Sequence, residues 1–196
     1  MVEDRDTMKT SPIPTVIILH GNGVTNVRQS NWYGHLYNQL QQNNIPCICE
    51  TYPDPQLARR NIWIPHTRKL SKESDNIILV GHSSGAQATL RYTEQYKAKA
   101  AVLVAATYSD LGCSSERISG YYPQGDTNLY DFEAMKMNCK EWYQFHSNDD
   151  PFIPLREAEM IRDGLGLDDT YYMLPGRSHF FEPFTELLEL ILKISN

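Results

Sequence analysis

Asn76-Ile77-Ile78-Leu79-Val80-Gly81-His82-Ser83-Ser84-Gly85 is the stretch on which the fold of this chain turns. An apolar run leads straight into Gly-x-Ser-x-Gly, and Ala86 to Tyr96 then reads as a helix. A strand, this pentapeptide and a helix together lift a serine onto a sharp turn, where its hydroxyl stands clear as a nucleophile. Glycines two positions to either side leave out the Cβ atoms that would collide with the strand and the helix. The first helical turn adds free backbone N–H groups and the positive end of a dipole, which can hold an oxyanion. In this register the nucleophile is Ser83, not Ser84. The plainer reading of the same residues is a glycine-bordered turn with two capping serines.

Two downstream residues favour the first reading. Trp142 to His146 reads as a short strand, and Ser147-Asn148-Asp149-Asp150-Pro151 as the loop after it. Open α/β sheets place functional groups at such strand ends, although an Asp-Asp-Pro turn that starts the next helix explains the same residues. Spacing does not choose between Asp149 and Asp150. Of the six histidines, His35 and His66 read as surface residues. His20 ends the first strand. His82 lies within the pentapeptide beside Ser83, so its ring points elsewhere, and His146 is a weaker rival beside the acid loop. His179, in Pro175-Gly176-Arg177-Ser178-His179, follows a strand-like run and precedes an amphipathic terminal helix. The resulting order Ser…Asp…His is the one an elbow serine uses. The histidine takes the serine proton and returns it to the leaving group, while the aspartate fixes the tautomer.

A fourth element lies upstream. Thr15-Val16-Ile17-Ile18-Leu19 is an apolar strand followed directly by His20-Gly21-Asn22-Gly23, a glycine-rich loop whose N–H groups can approach a substrate oxygen.

Strands are expected near 14–20, 46–51, 76–80, 99–105, 141–146 and 169–174. Helices are expected near 31–43, 55–71, 84–96, 131–138, 155–164 and 182–194, with Pro65 dividing the second. This alternation, with the strands at 15–19, 76–80 and 101–105 continuously apolar, predicts an α/β fold: a parallel sheet of about six strands with helices on both faces. The 196 residues form one domain over 13–196 behind a disordered tail, 1–12, which lacks a signal-peptide core. A net charge of −6 without a basic cluster argues against nucleic acid and anionic membranes. No run has the ~20 apolar residues of a membrane span. Cys47, Cys49, Cys113 and Cys139 show neither disulfide-framework nor metal-ligand spacing, so no metal is expected and the thiols read as reduced, in a cytoplasmic protein. Between Ala106 and Lys140 no core element stands out. Its Tyr108 and Tyr121, with Trp32 and Trp63, are candidates to line a substrate pocket, although aromatics packed on a sheet are as good a reading of each.

The chain resembles the small retinoblastoma-binding-protein-9 serine hydrolases, a minimal branch of the α/β-hydrolases. The resemblance rests on Gly21-Asn22-Gly23, Trp32-Tyr33-Gly34, Pro53-Asp54-Pro55, Ile62-Trp63, Gly81-His82-Ser83-Ser84-Gly85-Ala86, Arg91-Tyr92, Ser109-Asp110-Leu111-Gly112, Asp149-Asp150-Pro151-Phe152 and His179-Phe180. It implies a minimal α/β-hydrolase fold with a short cap or none, inserted after the fourth strand. The superfamily's acid often stands as Asp-x-x-(Val/Ile)-Pro. Asp150-Pro151-Phe152-Ile153-Pro154 fits that register, so the implied triad is Ser83, Asp150 and His179. The implied oxyanion donors are the backbone N–H groups of Asn22 and Ser84. The implied activity is hydrolysis of small carboxylic esters or amides without a cofactor. The alternative is a non-catalytic interaction module on the same fold, whose marks, a broken triad or a blocked elbow, are not seen. The family takes its name from a proposed Leu-x-Cys-x-Glu segment. The corresponding stretch here, Leu70-Ser71-Lys72-Glu73-Ser74, has no cysteine, so binding of a retinoblastoma-type pocket protein is not expected.

Overall fold

The runs at Thr15–Leu19 (β1), Ile77–His82 (β3) and Ala98–Val104 (β4) lie side by side in the middle of a parallel sheet. They are mostly apolar because helices cover both faces, and their few polar residues are Thr15, His82 and Lys99. The structure, a computed structural model, describes residues 12–196, so the expected tail lies outside the described residues but for Pro12. Among those residues, β2 (Cys47–Ile48), β5 (Cys139–His146) and β6 (Tyr171–Met173) complete six strands in the order β2-β1-β3-β4-β5-β6. Every pairing is parallel.

Among the described residues seven α-helices connect or follow the strands: α1 (Tyr33–Gln42), α2 (Arg60–Leu70), α3 (Ser84–Thr93), α4 (Ser114–Ser119), α5 (Phe132–Asn138), α6 (Leu155–Leu165) and α7 (Thr185–Ser195). The two-residue period of the strands sorts the core into two layers. Ile17, Leu19, Leu79, Ala101 and Leu103 pack against α2, α3, α5 and α6 through residues such as Trp63, Leu90, Met135 and Ile161. Val16, Ile18, Ile78, Val80 and Val102 pack against α1 and α7 through Leu36, Leu40, Leu187 and Ile191. Cys47 and Cys49 join this second layer, and all four cysteines are free thiols.

Chain direction across the sheet reverses between β1 and β3: β1 leads out to β2 on one side, and β3 returns on the other. Such a switch point opens a crevice at the carboxyl ends of the two strands, where open α/β sheets bind ligands. The loop after β1 and the elbow after β3 both lie there.

Some elements differ from expectation. Pro65 lies inside α2, which runs unbroken; its missing N–H forfeits a single bond near the helix start, and buried Trp63, Ile64 and Thr67 hold the helix down. Residues 55–59 are not helical. Asp54 (φ 55°) and Ala58 (φ 51°) have left-handed backbones, and Asp54 Oδ2 accepts from the Arg59 N–H (3.2 Å) and Nε (2.7 Å). β2 keeps only two of six expected residues, because the chain leaves the sheet to bring the Tyr52 N–H to His20 Nε2 (2.9 Å). Helix α4 was not foreseen: only Ser119 in it is buried, so it carries no apolar stripe.

The elbow glycines act by close approach. A Cβ on Gly85 would overlap the carbonyls of Leu19 and His20, and one on Gly81 would meet Gly85 O and Ala86 Cα (2.7 Å). Helix α3 can therefore start directly against the end of β1. Gly85→Ala is expected to lose about 3 kcal/mol of stability, since the obstacle is backbone rather than a movable side chain. Urea unfolding measures it, and a loss under about 1 kcal/mol would show that the junction yields.

Candidate active site

Ser83 caps α3 with φ 53° and ψ −119°, a strained conformation for a residue other than glycine. Its backbone is held from both sides: Ser83 N–H donates to Val104 O (3.0 Å), and Ser83 O accepts from Ala86 N–H (2.9 Å) and Gln87 N–H (3.3 Å). The side chain is thereby aimed into a cavity of about 560 Å³ above the switch point. Gly21, Asn22, His82, Ser83, Thr107, Tyr122, Phe152 and His179 are among its walls.

His179 and Asp150 meet across the same cavity. His179 Nδ1 stands 2.8 Å from Asp150 Oδ2, and the Asp150 side chain is wholly out of water. The other carboxylate oxygen accepts from the N–H groups of Phe152 (2.9 Å) and Ile153 (3.0 Å). Burial alone would raise the pKa of Asp150, but the bond to His179 and these two N–H donors outweigh it and hold the carboxyl below its ordinary value. An ionised acid at Nδ1 takes the Nδ1–H and leaves the Nε2 lone pair of His179 free. Ser83 Oγ has no hydrogen-bond partner among the described residues, as is common where such contacts tighten only around substrate.

The loop after β1 is pinned at nearly every polar group. The Gly21 N–H donates to the Tyr33 hydroxyl (3.0 Å), and His20 Nδ1 donates to Gly21 O (2.7 Å). The Gly23 N–H donates to Pro55 O (2.7 Å), and Asn22 Nδ2 to Glu116 Oε1 (3.0 Å). The N–H groups of Asn22 and Ser84 have no acceptor among the described residues.

These elements match a known pattern over most of the chain. The model of the family described as serine hydrolase matches residues 16–182. This chain belongs to the serine hydrolase family. The serine hydrolase RBBP9 of Rattus norvegicus is 39% identical to it over 182 residues, which cover 92% of this chain and 93% of that protein. Among solved structures, the ydeN gene product of B. subtilis superposes with a TM-score of 0.78 at 19% identity, covering 92% of this chain and 98% of its own. A protein of Xanthomonas campestris placed in the alpha/beta hydrolase superfamily superposes with a TM-score of 0.58 at 11% identity, covering 93% and 95%. The serine hydrolase described here thus has the α/β-hydrolase fold.

The aromatic lining differs from the expected one. Trp63 and Tyr121 lie in the core under α2 and α3, and Tyr108 packs on Tyr130 at 5.3 Å between ring centres. Trp32 is buried against Phe184 and His82. None of the four is among the cavity walls. The residues filling that role are Tyr122, Phe152 and Phe181, the last two flanking the His179 ring at 5.1 and 5.5 Å. Phe152 and Phe181 each stand two residues from Asp150 or His179, a nearness in sequence that could have flagged them. Tyr122, next to Tyr121 in the chain and buried in the same core layer, is the one that reaches the cavity wall. Its hydroxyl donates to Glu116 Oε2 (2.7 Å), so Glu116 joins the segment between β4 and β5 to the loop after β1.

Burial pushes the pKa values of His20, His82 and His146 below the ordinary 6.5, to about 3 for His82. A histidine that titrates lower in the folded chain leaves the unfolded chain binding more protons across the interval between the two values. For His82 stability is therefore full above about pH 6.5 and falls as pH drops towards 3, by up to ~1.4 kcal/mol per pH unit, and His20 and His146 add in the same direction. Urea unfolding from pH 7 to pH 4.5 is expected to show the loss, and His82→Gln a shallower slope. A flat wild-type profile would contradict the assignment.

Proposed function

We propose that this serine hydrolase cleaves small carboxylic esters or amides through an acyl-enzyme on Ser83. The observation that carries the reading is the buried Asp150–His179 pair at 2.8 Å beside the elbow serine. Ser83 Oγ attacks the substrate carbonyl and its proton passes to His179 Nε2. The backbone N–H groups of Asn22 and Ser84 hold the developing oxyanion. His179 then protonates the leaving group, and water, activated by the same imidazole, releases the acid. Asp150 orients the ring and stabilises the imidazolium. The cavity volume and the exposed Phe152, Phe181 and Leu111 favour a small substrate with an apolar group. The net charge of −6 and four free thiols suit an enzyme of a reducing compartment such as the cytoplasm, acting on small molecules rather than polyanions.

A fluorophosphonate probe is expected to leave its adduct on Ser83, located by peptide mass spectrometry, and Ser83→Ala to abolish labelling with little change in melting. An adduct on Ser84 would contradict the register. If nothing labels and no ester, amide or thioester is turned over, a binding role on this fold becomes the better reading.

The two aspartates separate by their partners. Asp149 Oδ1 accepts from Ser147 Oγ (2.5 Å) and the Ser178 N–H (2.9 Å), contacts an asparagine can keep. Asp150→Asn is expected to lower kcat by ~10⁴-fold through loss of the tautomer, and Asp149→Asn by less than ~10-fold. Steady-state kinetics on one ester ranks them, and the reverse order would sink the assignment.

A further inference from the structure

The hydroxyl of Tyr33, in the first turn of α1, lies between two parts of the site far apart in sequence. It accepts from the Gly21 N–H (3.0 Å) and from Asn31 Nδ2 (3.1 Å), and it stands 2.5 Å from His82 Nδ1. His82 Nε2 in turn stands 2.9 Å from the backbone carbonyl of His179. A carbonyl only accepts, so Nε2 carries the proton, Nδ1 is a bare acceptor, and Tyr33 donates to it. Tyr33 and His82 are 0% and 1% exposed, so these hydrogen bonds are shielded from solvent. Burial keeps the His82 ring neutral, with its pKa lowered to about 3.

We propose that Tyr33 and His82 are positioning residues, forming one buried hydrogen-bond relay that sets the oxyanion loop and the base-bearing loop in register across the nucleophile elbow. This rests on the roles of Ser83, Asp150 and His179 proposed above. His179 stands between Ser178 (φ 50°) and Phe180 (φ 53°), two non-glycine residues in the left-handed region. Such backbone persists only where its surroundings over-determine it. Asp149 holds the Ser178 N–H, and Arg177 O holds the Phe180 N–H (2.9 Å). Between them, the His179 carbonyl has His82 as its partner among the described residues, which makes His82 the link from this loop to the elbow. At the far end, Tyr33 holds the Gly21 N–H, the peptide before the one that presents the Asn22 N–H. A shift at either end moves the oxyanion donors relative to the imidazole.

The ring of Tyr33 also packs, at 4.7 Å from Trp32 and 5.7 Å from His82. Tyr33→Phe keeps that packing and removes only the hydroxyl, which separates positioning from bulk. His82→Gln still offers an acceptor and a donor, whereas His82→Leu offers neither. The test compares the full chain with these three variants and the Tyr33→Phe/His82→Leu double variant. It measures kcat and KM on a p-nitrophenyl ester, the rate of fluorophosphonate labelling at Ser83, and Tm. Tyr33→Phe is expected to lower kcat and labelling ~10–100-fold, part of what losing an oxyanion donor costs, with KM within about threefold. His82→Leu should lose at least as much, and His82→Gln should return to within about tenfold of wild type. The double variant should be no worse than the poorer single one, because both cut one relay. If His82→Leu does not fold, Tyr33→Phe and His82→Gln decide. An active, labelled wild type beside a folded Tyr33→Phe within threefold of its rate overturns the relay. So do losses that multiply in the double variant, or a fall in Tm without a fall in kcat. A wild type that neither labels nor turns over overturns the serine-nucleophile reading itself, and the relay with it.

Discussion

The backbone of Ser83 occupies a conformation that costs about 1–3 kcal/mol outside glycine, and it does so at the crossing of a strand and a helix. Three hydrogen bonds hold that peptide unit, one to β4 and two from the first turn of α3. They act together because Gly85 lets the helix start against the carbonyls of Leu19 and His20. The contact brings the ends of β1 and β3 close enough for Asn22 and Ser83 to line one cavity. All of α3 is buried as a consequence, which turns its polar residues into structural connectors.

Arg91 and Gln87 are the clearest of these connectors. From α3, Arg91 donates to the carbonyls of Tyr121 (2.7 Å), Asn128 (2.6 Å) and Leu129 (3.0 Å), pairs with Glu94, and stacks over Tyr130. Gln87 holds Thr107 O (2.5 Å) and accepts from the Tyr130 hydroxyl (2.7 Å). Glu157 of α6 accepts from the Ser109 N–H and hydroxyl, both at 2.8 Å. The segment between β4 and β5 is thus tied down by hydrogen bonds to buried side chains of α3 and α6, where the low dielectric strengthens each bond. Tyr122 and Glu116 are delivered to the cavity by that anchoring.

Asp149 and Asp150 show how neighbours of the same chemistry take different work. Asp150 turns inward, is desolvated and meets the imidazole. Asp149 stays exposed and ties the loop after β5 to the loop after β6 through Ser147 and Ser178. Its lowered pKa follows first from the Ser147 hydroxyl and then from backbone N–H groups. The distinction is one of direction within a turn, which adjacent positions in a chain do not reveal.

The alternation of apolar runs with helical periods was enough to read a parallel α/β sheet, because two-sided burial marks the central strands β1, β3 and β4 with runs of apolar residues. The elbow was legible for a similar reason: glycine is required where a Cβ would strike backbone, and that requirement is local. The order of serine, acid and histidine, each after a strand, marks Ser83, the Asp149–Asp150 turn and His179 as candidates in the sequence alone. Tertiary structure alone decided the rest. Whether Trp63 or Tyr122 faces the cavity depends on which layer each helix packs against, and an aromatic satisfies burial in either place. Pro65 was tolerated because the face beside it is buried in α2, a matter of packing rather than propensity. The join between Tyr33, His82 and His179 had no sequence signature, since hydrogen bonds between residues 49 and 97 positions apart exist only once the sheet has brought β3, α1 and the terminal loops together.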